Sequence, residues 1–138
     1  MSEEDTTTRA LELMAQTLLV EYRLIMHYPR LSNMVPEGEC RDIVMLLGED
    51  SVRHADIVSQ AIRSLGGAPP FPSVDPLPDL PVQAIFRRQL EYEKLALMLH
   101  SEAAGLVGEW QPILLGIADE ERSHIRIEER ILERLGQS

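Results

Sequence analysis

A chain of 138 residues is long enough for one domain with a real core and short for two. Thirteen Lys and Arg against 23 Asp and Glu give a formal net charge of −10, a field that repels phosphate backbones and anionic membranes and concentrates cations. Nucleic-acid and membrane partners are therefore poor expectations, the 44% hydrophobic content argues against disorder, and one cysteine, Cys40, rules out an intrachain disulfide framework. No apolar run approaches the ~18 residues of a membrane span, and the acidic start MSEEDTTT has no signal-peptide pattern. A soluble, cytoplasmic domain spanning residues 1–138 is the expectation.

Strand signals are nearly absent and helical periodicity is everywhere. Leu11, Met14, Leu18, Ile25 and Tyr28 step along one face of a first helix, with Thr6 to Thr8 as N-cap hydroxyls and Pro29 as its end or kink. A second helix is predicted from Pro36-Glu37 to Leu65, stopped by Gly66-Gly67, with Ile43, Leu47, Ile57, Val58 and Ile62 on its apolar face. Asp79 and Pro81 open a third through Phe86, Leu90 and Leu97 to the region of Gly105 to Gly108. Pro112 opens a fourth through Leu114, Ile117, Ile125 and Leu132, ending at Gly136. Met26, Met34, Met45 and Met98 fall at core or near-core positions, and Trp110 reads as an anchor for a loop or an interface. Cys40 has nothing nearby to activate its thiol.

Residues 66–81, GGAPPFPSVDPLPDLP, hold six of the nine prolines. A helix of about 25 residues is ~38 Å long, and this segment, mostly extended, reaches ~45–50 Å. It can therefore cross a whole bundle. The connection near residues 31–36 reaches only ~20 Å and must join antiparallel neighbours. Two helical hairpins joined by one long crossover make an all-α four-helix bundle.

Ionisable residues on the inward faces of such a bundle are the informative ones. Glu21 interrupts the apolar stripe of the first helix between Leu18 and Ile25. His54 shares a face with Leu47, Ile57 and Val58, with Asp50 four residues and Ser51 three residues before it. On the third helix Glu91 aligns with the charged Arg87 and Arg88, whereas Glu93 aligns with Phe86, Leu90 and Leu97, so Glu93 is the inward one; His100, seven residues on, shares its face. Glu121-x-x-His124 lies in line with Leu114, Ile117 and Ile125 on the fourth helix. Each of these has an ordinary explanation by itself: a boundary glutamate, a hydrogen-bonded core histidine, a charged helix. Together, three carboxylates and two imidazoles in one core are costly to bury without a counter-charge. Bound cations remove that cost, and the donor set suits iron, manganese or zinc; protonation and water in a partly hydrated core would also relieve it.

These segments resemble the ferritin-like di-iron carboxylate superfamily, bacterioferritin and rubrerythrin in particular. Glu21 with Tyr28 seven residues later looks like the family's first-helix ligand and tyrosine, EKLALMLHSEAA from Glu93 like its third-helix segment, and DEERSHI like its fourth-helix Glu-x-x-His. SVRHAD, residues 51–56, is similar to the second-helix motif around His54, except that Ser51 stands where the family has a glutamate. The resemblance implies a ferritin-like four-helix bundle binding one or two iron ions, with manganese or zinc as alternatives. Glu21, His54, Glu93, Glu121 and His124 would be the ligands, Glu121 the bridging candidate, and Tyr28 would take part in catalysis.

The loss at Ser51 leaves three outcomes: Asp50 substitutes, His100 moves in beside Glu93, or the site is vestigial. The resemblance further implies oxidation of Fe(II), or reduction of dioxygen or peroxide, in a homodimeric protein. The competing expectations are a helical dimeric interaction bundle without chemistry and a non-redox zinc binder. Val52 follows Ser51 where bacterioferritin has its haem methionine, so no haem is expected. The absence of C-x-x-C argues against a rubredoxin-type centre, and the chain ending at Gln137-Ser138 against a fifth helix and a storage shell.

Overall fold

The computed structural model describes residues 2–136, and their regular structure is four α-helices: α1 Glu3–Ser32, α2 Glu39–Ser64, α3 Val82–Ala104 and α4 Gln111–Gly136. The boundaries differ from the sequence reading at three ends. α1 is capped by Ser2, whose Oγ accepts a hydrogen bond from the Asp5 backbone N–H at 3.0 Å, and Glu3, Glu4 and Asp5 then sit at the positive end of the helix dipole. Thr6, Thr7 and Thr8 are already helical; their hydroxyls donate to the carbonyls four residues earlier. Pro29 does not end α1, which runs on to Ser32. The proline removes one backbone donor, but the last turn is held by the Asn33 N–H on the Arg30 and Leu31 carbonyls. α2 starts after Pro36, at a cap formed by Gly38, whose φ of +114° lies in the region that favours glycine.

Side-chain pairs fix the directions. Gly48 of α2 approaches Tyr28 of α1 so closely that a Cβ there would lie 3.0 Å from the Tyr28 Cβ, and Gly67, just beyond α2, meets Leu11. The first hairpin is therefore antiparallel. The crossover then runs alongside α1 in the same direction, with the Tyr22 hydroxyl near the Pro70 carbonyl at 3.5 Å and His27 Nε2–H donating to the Asp75 carbonyl at 3.1 Å. α3 returns antiparallel to α1, which pairs Tyr28 with Glu93, Glu21 with His100 and Arg9 with Glu102. Trp110 anchors the α3–α4 loop by donating from its indole to Ser64 Oγ at 2.9 Å.

The core joins all four helices through Leu13, Met14, Leu18, Leu24, Leu47, Ile62, Ile85, Phe86 and Leu114. α1 packs extensively on α2 and α3, and α3 on α4, whereas α2 and α4 barely touch. One side of the bundle is therefore loosely closed. The methionines correct the sequence reading: Met26, Met34, Met45 and Met98 are 62%, 40%, 50% and 49% exposed and belong to the outer surface, where Leu46 and Val52 accompany Met45 on α2. Met34, Met45 and Met98 sit one position from the buried Val35, Val44 and Leu99, and Met26 sits two from the buried Leu24.

Candidate metal centre

Among the described residues, the buried acids and bases of the bundle are Glu21, Glu93, Glu121 and Glu128 with His27, His54, His100 and His124; no lysine or arginine is buried with them. Helical registry brings all but His27 together. Glu21 lies one turn after Thr17 and Leu18 on α1, Glu93 one turn after Gln89 on α3, and Glu121, His124 and Glu128 follow one another at spacings of three and four along α4. Glu91 points outward, with its side chain 72% exposed, and pairs with Lys94 at 3.5 Å rather than with the arginines a turn before it.

Two overlapping groups result. Glu21, His54 and Glu121 each offer one atom within 4.8 Å of the others, and so do Glu93, Glu121 and His124. Glu121 belongs to both. His54 Nδ1 faces Glu121 Oε1 at 2.9 Å and Glu21 Oε1 at 3.6 Å; His124 Nδ1 faces Glu93 Oε1 at 3.3 Å and Glu121 Oε2 at 3.8 Å. The outer nitrogens are held from behind. His124 Nε2 lies 2.9 Å from Asp50 Oδ2, and His54 Nε2 bonds Glu120 Oε2. With Nε2–H donating outward, Nδ1 faces the inner carboxylates, donating to them while the ring is protonated and offering its lone pair to a cation once that proton leaves. The two rings stack with centroids 5.8 Å apart.

Ionisation follows from these contacts. Burial would raise the Glu21 carboxyl, but hydrogen bonds from His100 and His54 outweigh it and hold Glu21 below its ordinary value. Burial raises Glu93, against the opposing pull of His124. Glu128 is raised well above the carboxylate range, first by burial and then by the charge of Glu93. Desolvation would lower both His54 and His124, yet carboxylates on each side leave them raised: Glu21 and Glu120 for the one, Glu93 and Asp50 for the other. Tyr28 is pushed well upward by burial and by Glu93 and Glu128. Its hydroxyl meets Glu93 Oε1 at 2.6 Å and also Glu128 Oε1. One hydroxyl proton cannot serve both oxygens, so the second contact carries the proton of a neutral Glu128.

The places of the sequence candidates are now clear. Glu21, His54, Glu93, Glu121 and His124 converge, and Tyr28 borders them. His100 does not lie beside Glu93: its Nε2 is 3.1 Å from Glu21 Oε1, because its place on α3 is level with Glu21 of the antiparallel α1. Asp50 does not enter the cluster. It stands behind His124, is shared with Arg53 at 3.2 Å, and is half exposed on the α2–α4 groove, a cavity of about 340 Å³ also lined by Glu120 and His124. Ser51 is fully buried and donates to the Leu47 carbonyl at 3.2 Å, so α2 contributes no inward carboxylate. Glu128 is the residue the sequence reading passes over. Its position seven after Glu121 and four after His124 is the signal that marks it as inward.

The donor set fits cations. Glu21, Glu93, Glu121 and Glu128 each keep one oxygen, and His124 its Nδ1, buried with no hydrogen-bond partner. Orphaned polar atoms of this kind are rare in folded proteins and point to an ion or water that satisfies them. Bonds of about 2.1 Å to nitrogen and oxygen span about 4.2 Å across one ion, so atoms within 4.8 Å of each other need only small adjustments to close on it.

A four-helix bundle with a buried carboxylate–imidazole cluster is thus the class defined by the fold and the site. No protein-family model matches the chain, and no curated protein matches it by sequence. Solved structures do. The bacterioferritin of Desulfovibrio desulfuricans, whose structures describe a di-iron site in different catalytic states, aligns with a TM-score of 0.82 at 21% identity over 99% of this chain and 85% of its own. A ferritin-like di-iron carboxylate protein of Bacillus anthracis aligns with a TM-score of 0.78 at 20% identity over 96% of this chain and 99% of its own. The fold of this chain is the ferritin-like four-helix bundle of those di-iron carboxylate proteins.

Proposed function

We propose that the chain binds iron at two adjoining positions, one among Glu21, His54 and Glu121 and the other among Glu93, Glu121 and His124, and that it oxidises Fe(II) with dioxygen or peroxide. The observation that carries this reading is the pair of buried groups sharing Glu121, with unpartnered carboxylate oxygens turned into a core that has no buried lysine or arginine among its described residues. The ferritin-like fold, and the di-iron chemistry named for its structural neighbours, support it.

Iron bound there supplies one-electron redox chemistry. The chain's own groups do the rest. Glu121 joins the two positions, Asp50 and Glu120 hold the His124 and His54 rings with Nδ1 inward, and His100 orients Glu21. Four buried carboxylates balance two divalent ions, so Glu128 on α4 supplies the charge that Ser51 does not supply on α2. Tyr28, bonded to both Glu93 and Glu128, is placed to pass a proton between them as charge at the site changes. Cations reach the cluster through the α2–α4 groove, where half-exposed Asp50 and Glu120 attract them. The exposed Met26, Met45 and Val52 surface suits a homodimer.

The test is metal analysis of chelator-treated protein reloaded with Fe(II) without oxygen, followed by aerobic mixing. Two irons per chain and a ferric absorption change on mixing support the oxidase. Retention of zinc with no iron-dependent oxygen consumption supports a non-redox binder, and no uptake at all leaves only a helical bundle.

A further inference from the structure

Away from the metal centre, the crossover roofs a second cavity of about 240 Å³ between α1 and α3. Its chemistry is opposite to that of the cluster. Arg23 and Arg88 line it, and among the described residues neither has a carboxylate within ion-pair distance; Arg23 lies over the Tyr92 ring, its Cζ 5.2 Å from the centroid. The floor includes Gln89, 1% exposed, whose side-chain Nε2 is buried without a hydrogen-bond partner. Leaving a buried amide donor unmet is unfavourable, so a residue carrying one in the lining of a cavity flanked by two guanidinium groups points to an acceptor. Asp75 also lies at the rim, and its backbone carbonyl accepts from His27, which fastens the roof.

We infer that this cavity binds a small organic monocarboxylate, its oxygens on Arg23, Arg88 and the Gln89 amide and its hydrocarbon part against Leu77, Ile85 and the Tyr92 ring. The planar fork of an arginine matches a carboxylate in two parallel hydrogen bonds, and the Gln89 amide supplies a third donor from below. The apolar wall separates this ligand from a bare inorganic anion, which would leave Leu77 and Ile85 unused. A cavity of this size, below the ~300 Å³ of ordinary ligand pockets, admits a benzoate-sized acid and excludes a fatty acid. Because the roof comes from the crossover and the floor from α1 and α3, a bound acid ties residues 75–78 down onto the bundle.

The experiment is calorimetric titration of benzoate into the chelator-treated full chain, so that its outcome is independent of the metal reading, with Arg88→Gln and Gln89→Leu as variants. Saturable one-site binding is expected, weakened about tenfold by Arg88→Gln through loss of a charge-assisted bond. Gln89→Leu should weaken it in the same direction, and inorganic phosphate should compete poorly. Arg88 is exposed and its variant keeps the helices intact, as circular dichroism would verify; that variant decides the matter even where Gln89→Leu fails to fold. No saturable binding, unchanged affinity in Arg88→Gln, or phosphate competing as well as benzoate would overturn the inference.

Discussion

Glu128→Gln separates the charge on this side chain from its shape. The amide matches the protonated acid in size and still reaches the Tyr28 hydroxyl, but it can neither ionise nor hold a mobile proton. Glu128 is fully buried, and its pKa is raised well above 4.5 by burial and by the charge of Glu93. The metal-free folded chain therefore keeps a proton there that the unfolded chain has released. The stability linked to this group is fully present below pH 4.5 and is lost as pH rises toward the folded value, by about 1.4 kcal/mol for each pH unit over which the folded state alone holds the proton. Urea unfolding of chelator-treated protein in a buffer series from pH 4.5 upward reads this directly. Above pH 4.5 the wild type should lose stability with rising pH more steeply than Glu128→Gln, which has no such proton to hold. Iron reverses the ranking. A neutral amide removes one of the four negative charges, and Fe(II) affinity should fall about tenfold, as for other residues that support ligands from behind. An unchanged pH slope together with unchanged iron affinity would refute the assignment of Glu128 as the protonated partner of Tyr28 and the fourth charge of the site.

The other predictions address the cluster and its frame. Glu121→Ala should abolish uptake at both positions because Glu121 is common to them, whereas Glu91→Ala, on the exposed face of α3, should leave metal content unchanged by elemental analysis. His54 and His124 are raised by their carboxylate neighbours, and Glu93 and Glu128 by burial, so metal must displace protons; Fe(II) affinity should therefore rise from pH 6 to pH 8, with proton release measurable by an indicator dye. Gly48→Val should lower stability by roughly 1–3 kcal/mol in thermal melts, because its first added carbon already lies 3.0 Å from the Tyr28 Cβ and forces α1 and α2 apart.

The bundle and the inward carboxylates are legible in the sequence because each rests on helical period. Glu93 separates from Glu91 by its alignment with Phe86, Leu90 and Leu97, and in the structure Glu93 is buried and Glu91 exposed. Period alone does not fix which helices face each other or at what height. His100 shares the Glu93 face of α3, yet it stands level with Glu21 because α1 and α3 run in opposite directions, and that pairing depends on the length and path of the crossover. Asp50 is likewise one residue from Ser51 but on the rim, since a step of one residue turns a side chain by about 100° on a helix of 3.6 residues per turn. The surface methionines fail for the same angular reason: an apolar residue at the border of the stripe reads as core until the width of the neighbouring helix is known.

Ser51 and Glu128 are best understood together. A glutamate at position 51 would bring the α2 contribution to one carboxylate and one imidazole; the serine leaves only His54, with its hydroxyl spent on the Leu47 carbonyl. α4 instead carries two buried carboxylates on one face, Glu121 and Glu128, with His124 between them. On the proposed reading, the charge that α2 does not supply comes from Glu128 on α4, which Tyr28 ties to Glu93. A charge held two hydrogen bonds behind Glu93, across the Tyr28 hydroxyl, would stabilise the site electrostatically without occupying a coordination position. Ser51 is fully buried, and the α2–α4 groove beside the cluster is lined instead by Asp50, Glu120 and His124. On the proposed iron-binding reading, the serine alone does not abolish the site, because Glu128 offsets the charge that α2 lacks.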